Sequence, residues 1–136
     1  MAARSKARKR ALDAVYAAEV RSRPPSELLE EQARTTPVND YTRQLVEGVH
    51  EHRHRIDEVL GDYAQGWSLR RMPAVDRNVL RLAVFEILFV DDVPDAVAVS
   101  EALKLVGELS TDESPAFVNG VLGNIVRDRE QLVGQD

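Results

Sequence analysis

The sequence predicts an all-α protein, a compact bundle of about six to seven helices. Apolar residues recur every three or four positions through almost the whole chain, which is the period of a helix, and strand signals are nearly absent. Prolines interrupt this pattern at intervals and separate the periodic segments. The length of 136 residues suits one core, so we expect a single domain over residues 1–136.

The first two helices are predicted over residues 4–20 and from Ser26 to about Arg34. The first has a narrow apolar stripe, and basic residues fill its amino-terminal turns away from that stripe. A proline pair then ends this region, and Ser26 is the predicted cap of the short second helix.

The third segment, residues 39–64, has the clearest amphipathic pattern. Gly48 and Gly61 each weaken it by about 1 kcal/mol relative to alanine, so a kink or a division into two helices is one reading. The fourth, residues 73–90, is apolar nearly all round and is therefore predicted to lie at the centre of the bundle.

Two further helices are predicted at the carboxyl end of the chain. One covers residues 95–109, and the other begins with Ser114 as its cap and extends towards Leu132. Gly120 and Gly123 lie inside the last helix, where close approach of another helix is the usual reason for glycine.

Charge is distributed very unevenly. The first ten residues hold five of the 18 basic residues and no acid, whereas residues 11–136 hold the other 13 and all 23 acids. The tip therefore carries +5 and the remainder −10. RNA would be repelled almost everywhere except at the tip, although a solvated basic tail is an equally simple interpretation of charge alone.

Composition excludes several classes of protein. The chain has no cysteine, which removes disulfides and thiolate chemistry, and no apolar run approaches the ~20 residues of a membrane span. The basic start is not followed by the apolar stretch of a secretion signal. We expect a soluble cytoplasmic protein that does not contact membranes.

Catalytic signals are poor. We find no phosphate-binding loop, no nucleophile beside a base and no zinc-protease motif, so we predict no catalytic residue and no cofactor. His50 and His54 share a helix face and could chelate a metal, but no third ligand is evident. We predict no metal site, with His52 at the edge of the core and the other two histidines solvated.

Four stretches of the sequence resemble the NusB transcription antitermination family. They are ARKRALDAVY at 7–16, VDRNVLRLAVFEIL at 75–88, VP at 93–94 with VAVSEA at 97–102, and SPAFVNGVL at 114–122. Their order and spacing match the family over nearly the whole chain, and the last stretch is the most specific.

The resemblance implies two small helical sub-bundles and a function in transcription antitermination. It implies binding to boxA RNA of ribosomal RNA leaders together with NusE, a ribosomal protein of the small subunit, within an RNA polymerase antitermination complex. The implied RNA-binding residues are Arg4, Lys6, Arg8, Lys9, Arg10, Glu113 and Ser114. The implied partner-binding residues are Tyr16, Asp76 and Arg77.

A short basic tip predicts phosphate contacts with little sequence discrimination. We therefore expect weak, salt-sensitive RNA binding by the chain alone and tighter, selective binding with NusE. The alternatives are a purely protein-binding adaptor, a homodimer that pairs through the surface near Tyr16 and Phe85, and a metal-dependent enzyme that uses the histidines.

Overall fold

The computed structural model describes residues 2–64 and 66–134, and within these ranges it contains helices and no strand. The all-α prediction is confirmed. The helices are α1 (Ala2–Arg21), α2 (Pro25–Ala33), α3 (Asp40–Glu51), α4 (Arg53–Tyr63), α5 (Ala74–Phe89), α6 (Asp95–Leu109), α7 (Ser114–Arg127) and α8 (Arg129–Val133), with a short 3-10 helix, Leu69–Arg71, before α5.

The chain forms two compact units, residues 1–53 and 54–136. In the amino-terminal unit, α1 packs against both α2 and α3, which also contact each other. In the carboxy-terminal unit, α5 contacts α6, α7 and α8, and α6 packs along α7. Helix α5 is buried over nearly its whole length, as its all-round apolar pattern predicts.

Two predicted helices are each divided in the structure, which raises the number of helices. The segment 39–64 ends its first helix at His52, whose φ of −103° and ψ of 18° leave the helical region. The last predicted helix is divided in the same way at Asp128, with φ −98° and ψ 12°. The first break lies at neither Gly48 nor Gly61, so propensity alone did not locate it.

The predicted caps are wrong by one or two positions. Helix α2 begins at Pro25 after Pro24, and Ser26 lies inside its first turn. Helix α7 begins at Ser114 itself, after Glu113. Ser114 instead bonds other side chains in the core, because it is almost fully buried there.

The expected close approach at Gly120 and Gly123 is also wrong. A Cβ atom built at either glycine meets nothing within 4 Å among the described atoms, and both residues are exposed on α7. The two glycines therefore leave open space on the outer face of α7.

Of the two residues that mark the predicted homodimer surface, Tyr16 is exposed and Phe85 is not. Phe85 is buried in α5, where its ring stacks on Phe89 at a centroid distance of 5.8 Å. Across the described ranges, no helix is both long enough and apolar enough to cross a bilayer.

Candidate nucleic-acid interface

The basic residues of α1 do not form one uniform cationic surface. Lys6 and Lys9 are exposed, whereas Arg4 and Arg10 are half-buried. Arg8 is only 4% exposed, so the prediction that the basic residues lie away from the apolar stripe is wrong for Arg8. It lies four and seven positions before Leu12 and Val15, on the buried side of the helix.

Arg10 holds the loop between α2 and α3. One guanidinium nitrogen donates to the carbonyl oxygen of Pro37 at 2.7 Å, and the other donates to that of Thr36 at 2.9 Å. A longer bond of 3.4 Å reaches the carbonyl oxygen of Gln32. In a free loop these carbonyl oxygens would accept hydrogen bonds from water. Because Arg10 replaces that water, it orders the loop against α1.

The guanidinium groups of Arg4 and Arg8 lie over the ring of Tyr41. Their central carbons are 4.2 Å and 5.7 Å from the ring centroid, within the range of cation–π attraction. The Thr42 hydroxyl donates to the Ala7 carbonyl oxygen at 3.1 Å and attaches α3 to α1. Both arginines therefore contribute to packing as well as to charge.

A shallow groove of about 420 Å³ lies beside this tip. Its lining includes Lys6 and Arg10 from α1, together with Pro37, Asn39 and Thr42. Lys6 makes no hydrogen bond or ion pair within the described chain, so its ammonium is available to an external anion. A phosphate oxygen is the ligand that a free ammonium and a guanidinium edge recognise together.

The carboxy-terminal unit carries a second candidate surface, a cavity of about 570 Å³. It is lined by Trp67, Arg71, Met72, Pro73, Asp76, Thr111, Glu113, Ser114 and Phe117. Trp67 is 51% exposed and meets Phe117 edge to face at a centroid distance of 6.1 Å. An exposed tryptophan that meets a half-buried phenylalanine beside an exposed arginine is typical of sites that stack unpaired bases.

Asp76 and Ser114 form the buried floor of this cavity. Asp76 is 2% exposed, and its two carboxylate oxygens accept from Ser110 Oγ at 2.6 Å and Ser114 Oγ at 2.9 Å. Ser114 Oγ also accepts from the Thr111 amide at 3.2 Å. Asp76 is therefore satisfied by hydroxyl groups inside its own unit.

The other predicted partner-binding residues lie in different settings. Tyr16 is 40% exposed on α1, and Val20, four residues later, is also exposed. Arg77 is half-buried and donates to the carbonyl oxygens of Leu69 and Met72, at 2.8 Å and 3.1 Å, which fixes the 3-10 helix to α5.

Sequence reasoning missed three residues of this cavity. None of Trp67, Phe117 and Arg71 was predicted to contact a ligand. A signal was present, because a lone tryptophan beside basic residues in a break between helices suits stacking on a ligand. The stacking surface of Trp67 also involves Phe117, which is 50 positions away in the sequence. The local pattern therefore could not show that the two rings meet.

The histidines are exposed or half-buried as predicted, but His50 and His54 do not share a face of one helix, because α3 ends at Glu51 and α4 begins at Arg53. His50 and His54 are exposed and His52 is half-buried. In the part of the chain that the structure covers, no three residues of the metal-binding types are grouped as a site.

The NusB family model matches residues 5–127. The transcription antitermination protein NusB of Nocardioides sp. is 61% identical over 134 residues, which cover 97% of this chain and 99% of that protein.

Solved structures give the same result. NusB of T. maritima has a TM-score of 0.85 and 31% identity over 96% of both chains. A chain in the crystal structure of antitermination factors NusB and NusE in complex with dsRNA has a TM-score of 0.83 and 28% identity, covering 93% of this chain and 98% of that one. These matches include residues of both units.

Proposed function

The chain belongs to the NusB family of transcription antitermination proteins, and from this premise we propose that it binds boxA-type single-stranded RNA of ribosomal RNA leaders together with NusE. It helps RNA polymerase read through terminators, in the cytoplasm, as a binding protein without catalysis. Residues 1–136 act as one binding domain. The observation that carries the proposal is the exposed basic face of Lys6 and Lys9 on an otherwise acidic chain.

In this proposal the five basic residues of the tip divide into two groups. Lys6 and Lys9 contact phosphates directly, since both side chains are exposed. Arg4 and Arg10 present part of their guanidinium groups while holding Tyr41 and the α2–α3 loop. Arg8 supports the surface from beneath, because it is almost fully buried.

The cavity of the carboxy-terminal unit receives an unpaired base. Trp67 and Phe117 supply the stacking surface, and Arg71 supplies a charge for the adjoining phosphate. Glu113 is exposed at the same cavity and offers an acceptor to a base edge. Ser114 is predicted to act by holding the wall of the cavity through Asp76 rather than by touching RNA.

The NusE contact is placed at Tyr16 and Val20. These residues form an exposed apolar ridge along one face of α1, and an aromatic residue with a polar tip is favoured at protein interfaces. Asp76 and Arg77 remain predicted partner-binding residues in the carboxy-terminal unit, where they fix the start of α5. A structural neighbour of this chain contains NusB and NusE together with RNA, which supports the pairing.

The test is a titration of boxA-type and scrambled RNA into the intact protein, with and without NusE. We expect NusE to tighten binding of the boxA sequence more than that of the scrambled one. The combined change Lys6→Ala and Lys9→Ala should weaken both RNAs similarly, because phosphate contacts carry no sequence information. Arg21→Ala is the matched control, since Arg21 is an exposed cation at the other end of α1.

Salt dependence separates phosphate contacts from other binding. If about four phosphates are neutralised, the logarithm of the association constant falls with a slope near −3 against the logarithm of salt concentration. Loss of both lysines should reduce that slope by about 1.5. A slope that is unchanged in the double variant would remove the tip from the interface.

A further inference from the structure

The cavity of the carboxy-terminal unit contains an acid and a base that do not pair. Glu113 and Arg71 line this cavity and are both exposed, yet neither side chain makes a hydrogen bond or an ion pair with any described residue. A carboxylate and a guanidinium in this state are both available to a ligand. A ligand that uses both carries hydrogen-bond donors as well as a negative charge.

The two segments that carry these side chains are both attached to the start of α5. Arg77 donates to two carbonyl oxygens of the segment around Arg71, at 2.8 Å and 3.1 Å. Ser114, the neighbour of Glu113, donates to the buried carboxylate of Asp76 at 2.9 Å. Since neither backbone has to be ordered when a ligand arrives, the cavity is suited to discriminate between ligands of similar size.

The RNA bases differ in what they offer to a carboxylate. An ionised carboxyl group only accepts hydrogen bonds, and it does so through two oxygens side by side. The Watson–Crick edge of guanine presents two adjacent donors, N1–H and the N2 amino group. Adenine and cytosine each present an amino donor next to a ring nitrogen that accepts, and uracil presents one N–H between two carbonyl oxygens. Guanine alone therefore matches both carboxylate oxygens of Glu113.

We propose that this cavity selects guanine and that Glu113 determines the selection. The inference rests on the proposed function, because it requires the cavity to receive an unpaired base. The guanine ring stacks on Trp67, and its N1–H and N2–H groups donate to the two oxygens of Glu113. Arg71 binds a phosphate of the same RNA segment and offsets the repulsion between RNA and the carboxylate. This cavity then supplies a sequence discrimination that phosphate contacts at the tip cannot.

The test is a titration of the intact protein, with NusE present, by oligouridine RNAs that carry one guanosine, adenosine or cytidine at the centre. The chain has one tryptophan, so the indole N–H resonance of Trp67 in isotopically labelled protein reports binding at the cavity. We expect the guanosine RNA to bind roughly tenfold more tightly than the others. Inosine lacks the N2 amino group, so an inosine RNA should bind with intermediate affinity.

Glu113→Gln tests the role of the carboxylate. A glutamine amide offers one acceptor and one donor, and every base presents a donor beside an acceptor, so this variant should bind all the RNAs with similar affinity. Asp112→Asn is the matched control, because Asp112 is an exposed acid of the same loop that does not line the cavity. This control removes the same charge and should keep the guanosine preference. A purely structural effect of Glu113→Gln would instead weaken every RNA.

The outcomes separate this inference from the proposed function. Equal affinities of the wild-type protein for all the RNAs, with the Trp67 resonance still shifted, would overturn the selection of guanine and leave RNA binding at the cavity in place. A Trp67 resonance that does not shift when RNA is bound would overturn both. A guanosine preference that persists in Glu113→Gln would overturn the role of Glu113.

Discussion

Helices α1 and α5 both carry several charged residues, but the two helices differ in how far those side chains are exposed to solvent. In α1 of the amino-terminal unit, Lys6 and Lys9 remain exposed while the arginines between and around them bond the fold. In α5 of the carboxy-terminal unit, the charged side chains are mostly buried. Arg81, for example, bonds Asp57 through two nitrogens, at 2.8 Å and 3.2 Å.

The difference shows that charge in a sequence does not by itself identify a binding residue. A buried charge must be satisfied within the fold, because leaving it unpaired costs several kcal/mol. An exposed lysine has no such requirement and can exchange water for a ligand. Substitutions in α5 should therefore change stability first, and substitutions of the α1 lysines should change binding first.

The largest effect is expected for Asp76→Lys in α5. A buried ammonium would replace a carboxylate that accepts two hydroxyl donors, so we expect a loss of at least about 3 kcal/mol of unfolding free energy. Thermal and urea unfolding measure this loss. Asp76→Asn keeps the shape and should lose about 1 kcal/mol. A fully stable Asp76→Lys protein with weakened NusE affinity would instead show that Asp76 contacts the partner directly.

A smaller loss of stability is expected for Arg10→Ala. Removing the donors to the carbonyl groups of the α2–α3 loop should cost about 1–2 kcal/mol. Lys6→Ala, the matched change on the same helix, should leave the melting temperature unaltered. Arg8→Ala combined with Arg10→Ala should lower the melting temperature further, since Arg8 is also buried. Equal melting temperatures for Arg10→Ala and the wild type would show that the loop orders itself.

Trp67→Ala should distinguish base contacts from phosphate contacts. Loss of one stacking surface is worth about 1–3 kcal/mol, so RNA affinity should fall by roughly five- to 150-fold. The salt slope should stay at its wild-type value, because no phosphate contact is removed. Stability should change little, since the indole is half exposed. Titration of fluorescently labelled RNA at several salt concentrations measures both quantities, and Trp67→Phe should retain most of the affinity.

The smallest effect concerns the junction of α7 and α8. Hydrogen bonds from Arg127 and from Tyr63 lower the pKa of Asp128 below its ordinary value, the Tyr63 hydroxyl lying 2.7 Å away. A lowered pKa in the folded state stabilises the protein above the unfolded value of about 3.9, and this contribution is lost as the pH falls through the folded pKa. Tyr63→Phe should raise the pKa of Asp128, as followed by NMR titration of its carboxyl carbon. An unchanged pKa of Asp128 would show that the hydrogen bond from Arg127 causes the whole shift.

Much of the fold could be predicted from the sequence. Helix α6 begins and ends at the predicted residues, 95 and 109, because a proline precedes it and its apolar period is regular. The burial of α5 followed from its lack of a polar face. The division at His52 was not located, since the apolar period continues through it and the break depends on packing at a distance.

Less of the candidate site could be predicted from the sequence. The spacing of Arg8 from Leu12 and Val15 already placed it on the buried side of α1, so that burial could have been predicted. The partners of Arg10 could not, because they lie 22 to 27 positions away and depend on how α2 packs on α1. The same reason applies to Asp76, whose two hydroxyl donors come from the far end of α6 and the start of α7.

The contacts of Arg10 also bear on which mutations this protein can accumulate. Two nitrogens of one planar group reach separate carbonyl oxygens, a geometry that a single ammonium cannot reproduce. If Lys6 and Lys9 contact phosphates as proposed, we expect arginine to replace lysine there without loss of RNA affinity, because only charge is needed. At position 10 the same exchange keeps the charge but loosens the wall of the groove. We therefore expect Arg10→Lys to disturb the structure, although it is usually regarded as a conservative substitution.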